Sequence, residues 1–142
     1  LGPKARRRML RWFAAPTLID ESTEHGEAAK RWLQRFFAGE PVNGRELALD
    51  LRGTEFELKV WNRLLDIPPG ETMSYGDLAR ALHTPQGSRA VGLANGANPI
   101  SIVVPCHRVI GADGTLTGYG GGLERKRWLL AHEADWRTGR LF

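Results

Sequence analysis

Ser74-Tyr75-Gly76-Asp77-Leu78-Ala79-Arg80-Ala81-Leu82-His83-Thr84-Pro85-Gln86-Gly87-Ser88-Arg89-Ala90-Val91-Gly92-Leu93-Ala94-Asn95 is the stretch that decides the fold. Ser74, with Asp77 three residues on, has the form of a capping box ahead of Leu78, Ala79 and Leu82. This predicts a short helix from about Tyr75 to Leu82. Thr84-Pro85-Gln86-Gly87 is a turn, and Ser88 caps a further helix from Arg89 to about Asn95. Two short helices across a tight turn read as helix-turn-helix, a unit that many ordinary helical corners also resemble.

The second of these helices has unusual side chains. Ala90, Gly92, Ala94 and Gly96 leave it thin, so its backbone can approach a partner closely. Arg89 sits in its first turn, where a cation opposes the helix dipole. That placement fits either a task outside the helix or a solvated surface residue.

Upstream, Thr54-Glu55-Phe56-Glu57 is a capping box, and the helix behind it runs until Pro68-Pro69-Gly70. Phe56, Val60, Trp61, Leu64 and Leu65 are its expected core residues. Downstream, Asn98 precedes a proline and is pushed out of the helical region, which frees its amide to tie neighbouring backbone together. Ile100-Ser101-Ile102-Val103-Val104 then reads as a buried strand between Pro99 and Pro105. At its end stands Cys106, the only cysteine, followed by His107 and Arg108. Nearby positive charge lowers a thiol from its usual value near ~8.5. On its own, however, a free cysteine is most simply a small buried hydrophobe.

Beyond Val109, Gly111 to Thr115 is a turn and Gly118-Tyr119-Gly120-Gly121-Gly122 is a glycine-rich loop. The loop lacks the lysine and hydroxyl of a phosphate-binding loop, so a nucleoside triphosphate site is rejected. A helix from about Leu123 to Glu133 follows, packing through Leu130 and Trp128. In the N-terminal part, Glu27 to Ala38 has Ala28, Ala29, Trp32, Leu33, Phe36 and Phe37 at helical spacing, with Gly39 as a C-terminal cap. Leu10, Trp12 and Phe13 give a weak strand signal.

At 142 residues the chain suits one domain, or a core domain with a small appendage. No apolar run approaches the ~18 residues of a membrane span, and no signal-peptide succession is present at the N-terminus. One cysteine excludes an internal disulfide, and four dispersed histidines do not make a zinc site, so a reducing, cytoplasmic setting is expected. The net charge of +4 suits a polyanionic partner. Ten of the 20 basic residues, but seven of the 16 acidic ones, fall in residues 1–52, with Lys4, Arg6, Arg7, Arg8 and Arg11 clustered. Such a cluster is usually a solvated arm. The chain begins at Leu1 rather than methionine, which suggests a first part that is trimmed or short.

Taken together, these motifs resemble the DNA-repair proteins that transfer an alkyl group from O6 of guanine to their own cysteine. The matching pieces are Phe56 to Trp61, Ile67-Pro68 with Gly70, Ser74-Tyr75, Ser88-Arg89-Ala90-Val91-Gly92, Asn98-Pro99, Val104 to Val109, Gly118-Tyr119, and Leu129 to Glu133. They span nearly all of residues 53–142.

The resemblance implies an α+β protein. Residues 1–52 would form a shortened N-terminal α/β portion, and residues 53–142 a mostly helical, winged-helix-like domain for DNA binding and alkyl transfer. Cys106 would be the nucleophile, His107 its base through a water, and Glu133 the group orienting the imidazole. Neighbours on an extended chain point to opposite sides, which agrees with an indirect relay. Asn98 would hold the turn before the cysteine. Tyr75 would donate towards N3 of the everted base and crowd its phosphate. Arg89 would fill the space that the base leaves, with Ala90 on the thin helix in the minor groove and Thr84 and Ser88 near phosphates. Val109, Tyr119 and Gly120 would shape the base pocket. No cofactor or metal is implied, and the partner would be double-stranded DNA carrying O6-alkylguanine, bound by a monomer.

Several positions depart from the family pattern. Cysteines that hold a structural zinc in some members are absent. Gly120 stands where many relatives carry a side chain, and Ser101 where proline is frequent. A lesion-binding relative without chemistry would lack the reactive cysteine. A plain helix-turn-helix regulator would carry polar base-reading residues on the second helix, and a redox sensor would need a resolving cysteine.

Overall fold

The computed structural model describes residues 2–13, 21–84 and 87–138. Among these residues, six α-helices, α1 (Pro3–Trp12), α2 (Glu24–Phe37), α3 (Glu55–Leu64), α4 (Tyr75–Ala81), α5 (Ser88–Gly96) and α6 (Leu123–Thr138), accompany one two-stranded parallel pair, β1 (Met73–Ser74) and β2 (Val109–Ile110). The fold is thus α+β with mostly helical content. Among the described residues, no helix is long and apolar enough to cross a membrane.

Local sequence explains most boundaries. The Thr54 hydroxyl accepts from the Glu57 amide at 3.1 Å and the Glu57 carboxylate accepts from the Thr54 amide at 2.9 Å, closing the box that starts α3. Ser74 caps α4 by accepting from the Asp77 amide at 3.0 Å. Gly87 rather than Ser88 occupies the N-cap of α5, without a side-chain cap, and Ser88 is already helical. Pro85 and Gln86 of the expected turn lie outside the described residues. Capped by Thr23, α2 starts at Glu24, three residues before the expected start, and Gly39, at φ 93°, ends it as expected.

One core joins α3, α4 and α5 to the Val104–Val109 segment, with Val60, Trp61, Leu64, Leu78 and Val91 fully buried. Trp61 donates from its indole to the Ala94 carbonyl at 2.9 Å, tying α3 to α5. A second core gathers Trp32 and Phe36 of α2 with Val42, Val103 and Leu129. Burial of such side chains contributes roughly 1.5–3 kcal/mol each.

Four expectations about local structure are corrected. Leu10 and Trp12 lie in helix α1 rather than a strand, with Phe13 as its C-cap, and the described residues before Gly53 contain helices and a 3-10 turn only. Ile100 to Val104 is a tight loop, with a single bridge between Ser101 and Val104, because Asn98 takes its hydrogen bonds. Cys106–Arg108 is a 3-10 turn, so this segment is not extended. Finally, α6 buries Lys126, Leu129 and Glu133 at helical spacing, whereas Trp128 is half exposed and Leu130 only half-buried.

Candidate active site

The β1–β2 pair fixes the site. Met73 pairs with Val109 and Ser74 with Ile110, so the start of α4 at Tyr75 is held beside the end of the Cys106–Arg108 turn. The turn itself is shaped from the other side. Asn98 donates to the Val104 carbonyl at 2.7 Å and accepts from the Ile100 amide at 3.0 Å. Ile102 within that loop has φ 75°, a conformation costly for a β-branched residue and retained because both ends are tied. Asn95 of α5 donates to the Cys106 carbonyl at 3.2 Å.

Behind the thiol lies a buried charged group. His107 Nε2 is 2.7 Å from Glu133 Oε1, with both side chains fully buried. Arg108 donates to both oxygens of that carboxylate, at 2.9 and 2.7 Å, and to the Ile67 carbonyl at 2.6 Å. Burial pushes the Glu133 carboxyl up, but the hydrogen bonds and charges of His107 and Arg108 outweigh it and hold the group below its ordinary value. Burial keeps His107 below its ordinary value, despite the carboxylate. An ionised Glu133 facing a neutral imidazole fixes the tautomer: Nε2 carries the proton and donates, and the lone pair sits on Nδ1. That Nδ1 is buried with no protein partner among the described residues.

Cys106 is 6% exposed, and burial raises its thiol above the usual range. The Asn98 amide and the Lys126 charge pull it back. Lys126 is fully buried on α6 and donates to the carbonyls of Val109 at 2.6 Å and Thr117 at 2.9 Å. Burial lowers Lys126 and the cysteine opposes that shift. Its ammonium also lies 5.9 Å from the Tyr75 ring, whose hydroxyl donates to the Thr117 carbonyl at 3.3 Å. Lys126 and Asn95 escaped the sequence reading. A lysine between Arg125 and Arg127 looks solvated, and only the spacing of three from Leu129 and seven from Glu133 betrays its inward face.

A cavity of about 590 Å³ opens onto Cys106, with Asn98, Tyr119 and Gly120 in its lining. Burial pushes the Tyr119 hydroxyl up to about 12, so it stays protonated and able to donate. Val109, expected in the pocket, instead packs fully buried in the core beside Cys106. Arg89, Ser88 and Ala90 lie exposed at the start of α5. Leu93, 70% exposed, continues that face one turn on. Thr84 turns inward, its hydroxyl donating to the Ala79 carbonyl at 3.1 Å to close α4.

The arrangement defines a class: two short helices presenting a thin exposed face, next to a pocket with a single buried thiol at its base and an imidazole–carboxylate pair behind it. Residues 55–135 match the model of the family described as 6-O-methylguanine DNA methyltransferase, DNA binding domain, and the chain belongs to that family. It is 61% identical over 101 residues to the methylated-DNA–protein-cysteine methyltransferase of Mycolicibacterium paratuberculosis. The alignment covers 71% of this chain and 61% of that protein, so this chain spans less than two thirds of its relative's length. Among solved structures, it resembles Mycobacterium tuberculosis OGT in complex with DNA, with a TM-score of 0.75 and 56% identity over 78% of this chain and 68% of that one. It also resembles S. pombe Atl1 in complex with damaged DNA containing O6-carboxymethylguanine, with a TM-score of 0.52 and 34% identity, covering 58% and 79% of the two chains.

Proposed function

We propose that the protein repairs DNA by direct reversal, moving the alkyl group of an O6-alkylguanine onto Cys106, once per molecule. The observation that carries this reading is the buried row in which His107 is held by Glu133 with its Nδ1 left without a partner among the described residues, next to a thiol that reaches the cavity.

The thiol proton passes through a water to His107 Nδ1, and the imidazolium that forms is stabilised by Glu133. The sulfur attacks the alkyl carbon in line. The S–C bond forms as the C–O6 bond breaks, with its electron pair leaving on the guanine oxygen. The guanine regains at N1 one proton, equal to the one the thiol lost, so no cofactor or metal is needed for the balance. The product thioether has no leaving group that the His107–Glu133 pair can expel, and the protein is consumed.

A thiol at the base of a cavity cannot reach a base stacked inside a duplex, so the nucleotide must be everted. Arg89 takes its place in the stack, since a guanidinium can stack as well as carry charge. Ala90 and Leu93 lie against the minor groove, and Ser88 lies near a phosphate. Thr84 supports the turn rather than the phosphate. Tyr75 donates towards N3 of the everted base, and Tyr119 and Gly120 border it. In this reading residues 1–52 belong to an N-terminal domain, and residues 53–142 form the transfer domain of a cytoplasmic, monomeric protein.

The test is a titration of methylated duplex with limiting protein. Lesion removal should stop at one per chain. Turnover beyond one, or binding without removal, would count against the proposal.

A further inference from the structure

Helix α1 carries five cations, Lys4, Arg6, Arg7, Arg8 and Arg11, and no carboxylate. Its inner face is anchored. Arg8 lies 5.5 Å from the Trp61 ring and 3.6 Å from the Glu57 carboxylate. Arg52 donates to the Trp12 carbonyl at 3.2 Å and stacks its guanidinium 4.5 Å over the ring of Phe13, the C-cap. A solvated arm would lack these tethers, so the cations of α1 are held at a set place on the surface.

The other four cations are exposed. Lys4, Arg7 and Arg11, three and four residues apart, form a stripe along one flank of the helix, whereas Arg6 lies on the opposite flank beside Leu10. Among the described residues, Lys4 and Arg7 have no ion-pair partner. The cavity over Cys106 shows where the stripe sits. Lys4 lines that cavity while remaining exposed, and Gly96, Ala97 and Asn98, at the end of α5, line it too. Lys4 therefore stands on the rim, and α1 and α5 border the same opening.

A nucleotide entering this opening leaves its backbone outside, because the phosphates on either side run on into the duplex. A ten-residue helix is about 15 Å long, enough to span several phosphates that follow at about 3.4 Å of axis along each strand.

We propose that Lys4, Arg7 and Arg11 form a phosphate-binding stripe that holds duplex DNA outside the helix-turn-helix, on the backbone flanking the everted nucleotide. Such contacts position the duplex and read no sequence. The stripe rests on the reading that this chain binds duplex DNA.

The experiment measures binding of the full chain to duplex DNA containing O6-methylguanine over a series of salt concentrations, with Cys106→Ser in every variant so that no lesion is consumed. Lys4→Gln, Arg7→Gln and Arg11→Gln should each make the slope of log affinity against log salt shallower by about 0.9, and the triple variant by about 2.7. Arg7→Lys keeps the charge and should keep the slope. Arg6→Gln removes the same charge from the same helix, off the stripe, and should leave the slope unchanged. An equal reduction with Arg6→Gln would mean that only the overall field of the chain is felt, and would overturn the stripe. Unaltered slopes throughout, with duplex still bound, would overturn the stripe alone. Absence of duplex binding by the Cys106→Ser parent would overturn the DNA-binding reading together with the stripe.

Discussion

Arg108 grips both carboxylate oxygens of Glu133, at 2.9 and 2.7 Å, from the position next to the histidine that the same carboxylate receives. One bidentate pair thereby sets the charge, the orientation and the hydrogen-bond direction of the His107 ring. Cys106, His107 and Arg108 are consecutive in sequence, yet the carboxylate that holds the imidazole and the guanidinium lies on α6.

Breaking this pair should show first in stability. Arg108→Ala leaves a buried carboxylate without its counter-ion and should cost about 3–5 kcal/mol in urea denaturation. Glu133→Gln keeps the shape but removes the charge that stabilises the imidazolium. It should slow transfer about 10²- to 10⁴-fold with little change in affinity for duplex DNA. A change confined to DNA affinity would mean that the relay is misassigned.

The same groups predict a pH dependence of folding. His107 is held below its ordinary value in the folded chain, so the unfolded chain binds the extra proton first. Its contribution is complete above about pH 6.5 and is lost as the pH falls, by up to about 1.4 kcal/mol per unit. Glu133, also depressed, adds a second loss below the ordinary carboxylate range. Denaturation midpoints measured from pH 8 to pH 4 should fall in that order, and His107→Asn should flatten the first part.

Lys126 supplies the positive charge that offsets the burial of Cys106. Lys126→Met should move the alkaline limb of Cys106 modification by iodoacetamide to higher pH. It also removes the buried ammonium that the Val109 carbonyl accepts from, costing about 1–3 kcal/mol, whereas the Thr117 carbonyl keeps the Tyr75 hydroxyl. An unmoved limb would remove Lys126 from the electrostatics of the thiol.

Arg89→Ala should weaken repair in duplex DNA far more than reaction with a free benzylated base, because only the duplex requires eversion. Parallel kinetics on the two substrates check this, and equal losses would contradict the assignment of Arg89 to the vacated stack.

The helices were legible where local chemistry decides them. Thr54 with Glu57, and Ser74 ahead of Asp77, are short-range hydrogen-bonding patterns and appear as read. The Ile100–Val104 segment was misread because its apolar run satisfies a strand pattern, whereas the Asn98 amide satisfies its backbone locally. Trp12 and Phe13 were hidden by the arginines between apolar positions, and their partner Arg52 is distant in sequence. The site followed the same division. Cys106 and His107 are adjacent and were visible together. Lys126 and Arg108 gain their roles from carbonyls and carboxylates that only the fold brings near.

Whether Cys106 accepts the alkyl group is read by intact-protein and peptide mass spectrometry after incubation with duplex DNA containing O6-methylguanine, beside a Cys106→Ser control. A single methyl on Cys106, absent from the control, is the predicted result. No added mass while the lesion is still bound tightly would contradict transfer and leave a protein that recognises alkylguanine without repairing it.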